Sequence, residues 1–548
     1  MDNFPEIGNL GPLGGDLFQG YATAFTNQSL LEKAYTTGSG IVQPGDTTPA
    51  NFRTQFLSDT LEQVSFSQTD AGFMRDIAKE KIGSVTAEWS ATVAYGGAGD
   101  GFVGETGSDG QFNVSGADDI FLRQIQNAKF MANYRQISSV AQTVQSLTDP
   151  VLAAQKNATL ELISKMNLAL YYGSAGMNTL QWNGVNEQII AWATAFPGDA
   201  AILYDAGGKP LDKYLFEDVV RTCALLYGKP TEFRCSVNTY TDAQKGLFPE
   251  ARYTEGNKEG VFGTNRDSFL SPFGNIKLKY DLMLRANRPL VANGNGADGK
   301  PRTLATTDSN SSGYTASPFV APASAVGVQA LAAGLGNFWQ GSNTNTDTGA
   351  LATIPAVPSG DGNQGNRLSA GTYFYAVSAV TNGRESSPFV YGAAAPNTLA
   401  GATAITVTSG NNVVQIELDP TQLSPFGGTL KRSQTYFRVY RALSTATILG
   451  GPGSQFDWLT NVGCPTAGNA RGYDNGYRIP GTDTAFLLTP ENNGSKQVFL
   501  GQLLPLMKKI LPLSAMSDQM ALLFFGTPIV RVGRFQIVVR NIGRFVNP

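Results

Sequence analysis

The stretch Asp149-Pro150-Val151-Leu152-Ala153-Ala154-Gln155-Lys156-Asn157-Ala158-Thr159-Leu160-Glu161-Leu162-Ile163-Ser164-Lys165-Met166-Asn167-Leu168-Ala169-Leu170-Tyr171-Tyr172-Gly173 reads as one long helix. Asp149 is a suitable N-cap, and Pro150 falls at the first helical position, where a missing N–H costs nothing. Leu152, Leu160, Ile163, Met166 and Leu170 then form an apolar stripe that runs to Gly173. Such a stripe buries itself in a core, so the helix is expected to serve as a spine and not to hold a ligand.

Upstream the texture is that of strands. Thr86-Ala87-Glu88-Trp89-Ser90-Ala91-Thr92-Val93 leads into the glycine run Gly96-Gly97-Ala98-Gly99-Asp100-Gly101, and strand signals resume at Phe102-Val103-Gly104-Glu105, 112–114 and 120–135. Two long strands around a glycine-rich tip predict a projecting hairpin over 83–142. A lone two-stranded hairpin is marginal in water, so one this long is expected to lie on another subunit. Residues 1–82 read as an extended arm, with a short amphipathic stretch at 29–34. Phe52, Phe56, Leu57, Leu61 and Val64 have helical spacing, and 73–82 reads as a short helix or extended connector.

Downstream, Phe216, Val219, Val220, Cys223 and Leu226 predict a helix over 215–227, with Cys223 as a small buried apolar residue. A strand at 232–237, a short helix at 241–247 and a strand at 275–280 follow. From 293 to 366 the chain becomes low-complexity Gly, Ser, Thr, Asn and Ala, with a helix predicted at 323–335. Alternation at Tyr373/Tyr375/Val377/Ala379, Ile405/Val407, Val414/Ile416/Leu418 and Phe437/Val439 then predicts a β-sandwich over 371–481. The remainder is read as two helices, 503–510 and 518–524, and a final strand Phe535-Gln536-Ile537-Val538-Val539. This is the pattern of a host domain split by an insertion.

Composition narrows the chemistry. The chain has 548 residues, enough for two to four cores given a ceiling of roughly 250–300 residues per core. It contains no histidine, which removes the commonest general acid/base and every zinc site of the HExxH type. Each Gly-Lys pair (Gly208-Lys209, Gly228-Lys229, Gly299-Lys300) runs into proline, so no phosphate-binding loop is written here. The run 96–101 reads as a flexible loop, and Asn343, Asn345 and Asp347 as a polar linker, since Ile354 stands where a calcium loop needs glutamate. No local pattern nominates a carboxylate pair. The expectation is a protein without catalytic residues, cofactor or metal.

The three cysteines, Cys223, Cys235 and Cys464, form no CxxC and suit a reducing compartment. The start Met1-Asp2-Asn3-Phe4-Pro5-Glu6 has no basic segment followed by an apolar core, and no apolar run is long enough to span a bilayer, so the chain is expected to be made in the cytoplasm without membrane contact. Forty Lys and Arg against 43 Asp and Glu give a formal charge of −3 and no global pull toward nucleic acid. Basic residues collect late (Lys508, Lys509, Arg531, Arg534, Arg540, Arg544 against Asp518), for solvated or inter-subunit ion pairs or for phosphate contact.

The order of these parts resembles the major capsid proteins of tailed bacteriophages of the Hong Kong 97 type. Leu31-Glu32-Lys33-Ala34 with 56–64 looks like that family's arm, and Glu88 through Tyr95-Gly96 with Phe102-Val103-Gly104-Glu105 looks like its extended loop. Asp149 to Gly173 is similar to its spine helix, while 233–247 and Gly274-Asn275-Ile276 resemble its axial domain. Pro528-Ile529-Val530 and Asn541-Ile542-Gly543 resemble its closing segment. Separately, Tyr375-Ala376-Val377-Ser378-Ala379, Gly383-Arg384-Glu385-Ser386 and Phe437-Arg438-Val439-Tyr440-Arg441 resemble an immunoglobulin or fibronectin type III sandwich, a fold that assigns no function by itself.

The resemblance implies an α+β capsid fold with an inserted all-β immunoglobulin-like domain. The implied layout is an arm (1–82), an extended hairpin (83–142), a peripheral domain (143–214) with spine helix 149–172, and an axial domain in two parts (215–292 and 486–530). A linker (293–366), the insertion (367–485) and a closing strand of the peripheral domain (531–548) complete it. Hexamers and pentamers of this chain would tile an icosahedral virion shell, assembled in the host cytoplasm around double-stranded DNA held by non-specific contact. Implied partners are a separate scaffolding protein, a portal protein at one vertex and a decoration protein. The side chains nominated as assembly contacts are Trp89, Tyr95, Phe102, Glu105, Arg123, Lys129 and Arg135. Lys129 is also a candidate for cross-linking, with no partner asparagine identified. The alternatives are an encapsulin-type nanocompartment shell, a surface adhesin, or an enzyme with an accessory sandwich.

Overall fold

The computed structural model describes residues 72–94, 118–139, 142, 150–254, 268–282, 284, 313–314, 317–320, 328–331, 368 and, with short gaps, 370–544. Residues 1–71 of the arm expected over 1–82, the hairpin tip with its glycine run, Asp149 and most of the low-complexity segment lie outside the described residues.

The first part of the chain supplies α1 (Gly72–Asp76), β1 (Ala78–Lys81), β2 (Thr86–Ala94), β3 (Ile120–Asn127), β4 (Lys129–Ser138), α2 (Pro150–Tyr172), α3 (Val185–Ala195), β5 (Leu203–Asp205), α4 (Lys213–Leu225), β6 (Glu232–Cys235), α5 (Val237–Thr254), β7 (Ser268–Ser271) and β8 (Gly274–Tyr280). Eleven strands follow: β9 (Gly313–Tyr314), β10 (Val328–Leu331), β11 (Gly371–Thr381), β12 (Arg384–Glu385), β13 (Phe389–Val390), β14 (Ile405–Val407), β15 (Val413–Leu418), β16 (Leu423–Ser424), β17 (Thr435–Leu443), β18 (Asp457–Gly463) and β19 (Ala470–Asp474). The chain closes with β20 (Asp483–Leu488), β21 (Glu491–Asn492), β22 (Ser495–Lys496), β23 (Val498–Ser514), β24 (Ser517–Val530) and β25 (Ile537–Ile542). The fold is mixed α and β.

A six-stranded sheet runs in the order β5-β25-β20-β6-β8-β7. Its middle strands are apolar on both faces, because both faces are covered. Phe486, Leu488 and Val538 point into a core with α2 and α3, while Ala485, Leu487, Ile537 and Val539 point into a second core with Leu215, Phe216, Val219 and Cys223 of α4. The expected helices, strands and final strand of this region fall on α4, β6, α5, β8 and β25. β8 and β20, which precede and follow the eleven-strand segment, are separated in the sheet by β6 alone. The ends of that segment therefore leave the host about two strand spacings, or roughly 10 Å, apart.

The second host sheet runs β1-β23-β24-β4. Here the expectation of helices at 503–510 and 518–524 is corrected: the chain forms the long antiparallel hairpin β23–β24. Pro505 and Pro512 explain why. The residue before each proline, Leu504 and Leu511, is pushed out of the helical region toward extended backbone, and in β23 the register shifts between Leu504 and Met507 and between Leu511 and Ser514, so each proline falls at an irregularity of the ladder. A nearly continuous apolar run cannot be told from a helix by its period.

α2 lies against β4 and β24, beside α1 and α3, with Leu160, Leu162, Ile163, Met166, Leu170 and Tyr171 buried. The stripe is corrected at one end, since Leu152 is 61% exposed. The first described elements root on this helix. Asp281 accepts the Phe73 N–H (3.1 Å) and the Tyr171 hydroxyl (3.2 Å), and Asn167 accepts the Met74 N–H (2.9 Å), satisfying two of the orphan donors at the start of α1.

The eleven-strand segment builds two larger sheets, β12-β11-β17-β18 (with β13 and β14 also on β11) and β10-β15-β19, and a two-stranded one, β16-β9. One core joins them, with Tyr375, Val377, Phe437 and Val439 from the first and Val414, Ile416, Leu418 and Ala470 from the second. A buried ion pair also crosses between the sheets, Arg441 to Asp474 at 2.5 Å, with Tyr375 donating to the same carboxylate at 2.9 Å. The helix expected at 323–335 is corrected over its described part: Val328–Leu331 is β10, paired with β15. That edge of β15 offers backbone partners, and pairing overrides local propensity. Phe319, from the same low-complexity segment, is buried against Tyr391.

Candidate assembly surface

β2 and β3 form a two-stranded ribbon from Thr86↔Asn127 to Ala94↔Ile120. Pairing in register puts Trp89 with Gln124 on one face and Arg123 with Ser90 on the other. At Ala128, which is buried and donates its N–H to Val85 (2.7 Å), the ribbon becomes β4 and joins the four-stranded sheet.

Of the four nominated side chains that are described, Trp89, Lys129 and Arg135 bond to other parts of the chain, and Arg123 pairs within the ribbon. The Trp89 indole N–H donates to the Arg531 carbonyl (2.9 Å) beside a cleft of about 330 Å³ lined by Ile82, Phe499 and Ile529. The Arg531 guanidinium stacks 4.9 Å from the Phe499 ring centre. Arg123 pairs with Glu88 across the ribbon, both exposed. Lys129 Nζ donates to the Thr179 carbonyl (2.6 Å). Arg135 pairs with Glu161 on α2, which also accepts from Asn133. These four are spread over β2, β3 and β4 and not gathered into one site. Tyr95, Phe102 and Glu105 lie outside the described residues.

Residues not nominated from sequence carry the exposed apolar surface. On the Arg123 face of the ribbon, Phe121 is 66% and Ile125 51% exposed; on the face of β4 turned away from α2, Phe130 is 59% and Tyr134 48% exposed. Phe130 packs edge-on against Phe525, its register partner on β24, with ring centres 4.6 Å apart. Met507 is exposed on the same face. The signal was present in Lys129-Phe130-Met131, where apolar residues alternate onto both faces of a strand. A soluble monomer rarely leaves such a face to water.

Five of the late basic residues, Lys508, Arg531, Arg534, Arg540 and Arg544, are engaged within the chain. Arg534 makes two hydrogen bonds to Asp199 (2.9 and 3.0 Å), Arg544 pairs with Asp242 (2.7 Å), and Lys508 donates to Gln155 (2.8 Å). Among the described residues no group of three His, Cys, Asp or Glu side chains could hold a metal ion, and no helix is long and apolar enough to cross a membrane.

No protein-family model matches the chain. It is 24% identical over 276 residues to the putative major capsid protein of Enterococcus phage phiEF24C, covering 48% of this chain and 56% of that one. It is 24% identical over 215 residues to the major capsid protein of Staphylococcus phage K, covering 38% and 43%. The chain thus spans about half the length of the curated relatives it matches. Among solved structures, the capsid of an empty GTA particle aligns with 92% of this chain and 99% of that one at a TM-score of 0.33 and 9% identity. The holo-SrpI encapsulin complex from Synechococcus elongatus PCC 7942 aligns with 92% and 100% at a TM-score of 0.32 and 7% identity.

Proposed function

We propose that the chain is a shell-forming structural protein, the major capsid protein of a tailed phage, and that it works by assembly and not by catalysis. The observation that carries the reading is the apolar surface of Phe121, Ile125, Phe130 and Tyr134 on a ribbon and sheet that leave it uncovered in the lone subunit. Sequence relatives bearing the name major capsid protein support it. Many copies of a modest contact close a symmetric shell, so each contact can be weak while the lattice is stable.

In this reading hexamers and pentamers tile an icosahedral shell around double-stranded DNA, and the hairpin and arm lie on neighbouring subunits. The nominated residues Tyr95, Phe102, Glu105 and Arg123 would meet neighbours along the hairpin, while Trp89, Lys129 and Arg135 hold it to the rest of the chain. The two-sheet insertion is an immunoglobulin-like domain carried on the shell surface. Scaffolding, portal and decoration proteins are its partners, and the interior meets DNA through non-specific phosphate contact.

Negative-stain electron microscopy of the purified chain, alone and with the scaffolding protein of the same virus, tests this. Closed shells or ring-shaped capsomers are expected. A monodisperse monomer in both conditions overturns the reading, and shells that co-purify with a cargo enzyme instead of DNA point to a nanocompartment.

A further inference from the structure

Between α2 and α3 the chain makes a ten-residue loop, 174–183, whose neck is pinched shut: Gly184 donates its N–H to the Gly173 carbonyl at 2.8 Å. Only glycines fit this neck. A Cβ at Gly173 would stand 2.6 Å from the Ala169 oxygen, and one at Gly184 would stand 2.7 Å from the Tyr171 oxygen. The loop also knits itself together. Ala175 N–H reaches Asn183 Oδ1 (2.8 Å), Leu180 N–H reaches Asn178 Oδ1 (3.0 Å), and the Trp182 indole reaches the Ala169 carbonyl (2.9 Å). It is a stiff projection, and its stiffness does not depend on the sandwich.

Its tip touches two bodies at once. Met177 is buried with Val380 and Tyr436 of the sandwich. Thr179 donates its N–H to the Ser433 carbonyl of the sandwich (3.1 Å), while its own carbonyl accepts Lys129 Nζ (2.6 Å), at the residue where the ribbon leaves the sheet. Trp458 of β18 adds an edge contact to Tyr172, with ring centres 6.5 Å apart.

We infer that the inserted sandwich is a brace for the hairpin: docked on the pinched loop, it fixes through Thr179 and Lys129 the angle at which the β2–β3 ribbon leaves its own subunit. A domain carried only as surface decoration needs a tether, and nothing in a tether calls for a preformed loop whose tip residue joins it to the ribbon's pivot. The brace acts inside one subunit and stands whether or not that subunit forms shells.

The test is double electron–electron resonance on the full chain kept unassembled, with nitroxides at Ser90→Cys on the ribbon and Thr194→Cys on α3, both exposed positions. The native cysteines are buried and stay unlabelled. The parent is expected to show one narrow distance distribution. Lys129→Met keeps most of the unbranched apolar stem, removes the ammonium and leaves the dock intact; it is expected to broaden or shift that distribution. Met177→Asp is expected to do the same by undocking the sandwich, which a second label pair, Thr408→Cys with Thr194→Cys, reports directly. An unchanged ribbon distribution in Lys129→Met overturns the brace, as does an unchanged one in Met177→Asp once the second pair shows the sandwich released. Should Met177→Asp fail to fold, Lys129→Met decides alone.

Discussion

The guanidinium of Arg234 on β6 lies 4.8 Å from the ring centre of Phe73 on α1, and Arg234 is only 1% exposed. Its charge is answered by Glu232 (2.7 Å) and Asp76 (3.3 Å), with Lys279 bonded to the same two carboxylates. One buried cation thus ties the first described helix to the six-stranded sheet. Arg234→Ala removes it and leaves desolvated carboxylates behind, which should cost about 3–5 kcal/mol. Equilibrium urea unfolding measures this, and a loss within the surface-pair range of about 1 kcal/mol would contradict a buried role.

The same cluster predicts the acid response. Burial pushes the Asp76 carboxyl up, but hydrogen bonds from Lys279 and Arg75 and the charges of Arg234 and Lys279 outweigh it and hold the group at about 2, below its ordinary 3.8. A carboxyl depressed in the folded state contributes stability that is complete above the unfolded value and fades as pH falls through the folded one. Stability should therefore drop as pH is lowered from 4 toward 2, and Asp76→Asn should be less sensitive across that window. Parallel acid titrations of the two proteins, each followed by urea unfolding, make the comparison; equal pH slopes would remove Asp76 from the account.

All three cysteines are buried, and burial pushes their thiols up, Cys223 to about 12 and Cys464 to about 11. A thiol so far above neutral pH supplies almost no thiolate. An aromatic disulfide reagent at pH 7.5 should find no fast-reacting group in the native protein and all three after denaturation. Cys464, at 9% exposure, should be the first to react when the fold is loosened.

Within the sandwich, Arg441 and Asp474 have side chains 5% and 0% exposed and come from different sheets. Asp474→Ala should cost about 3–5 kcal/mol by stranding the guanidinium, whereas the double change Asp474→Leu with Arg441→Met should recover most of that loss, since an apolar pair of similar volume replaces a buried ion pair at little cost. Thermal unfolding of the parent and the two variants orders them; a double variant as weak as the single would mean that the ion pair itself holds the sheets together.

Local patterns in the chain made part of this legible. Pro150 and the stripe from Leu160 to Leu170 announced α2, and the alternation of Tyr373, Tyr375 and Val377 announced β11, because capping and periodicity act over a few residues. The β23–β24 hairpin was misread where a run apolar on both faces hides its period, although Pro505 and Pro512 argued against a helix. What could not be read were contacts between residues far apart in the chain: Trp89 with Arg531, Lys129 with Thr179, and Thr179 with Ser433. No spacing encodes them. They follow from how the sheets stack, which is why Trp89, Lys129 and Arg135 make contacts elsewhere in the chain while Phe121 and Tyr134 stand open.

That open surface gives the last prediction. Phe121 is 66% exposed on the ribbon and Tyr134 48% on β4, so neither side chain has much packing to lose when replaced. Phe121→Asp and Tyr134→Asp should each change the stability of the isolated subunit by no more than about 0.5 kcal/mol, the range of ordinary surface substitutions. In an assembled state the same positions would press a charge into an apolar contact, which is costly when unpaired. Thermal unfolding of the subunit and electron microscopy of assembly reactions should therefore separate: an unchanged melting temperature with loss of closed shells. Normal shells from both variants would show that this face stays open in the assembly, and a large drop in melting temperature would show that it is part of the subunit's own core.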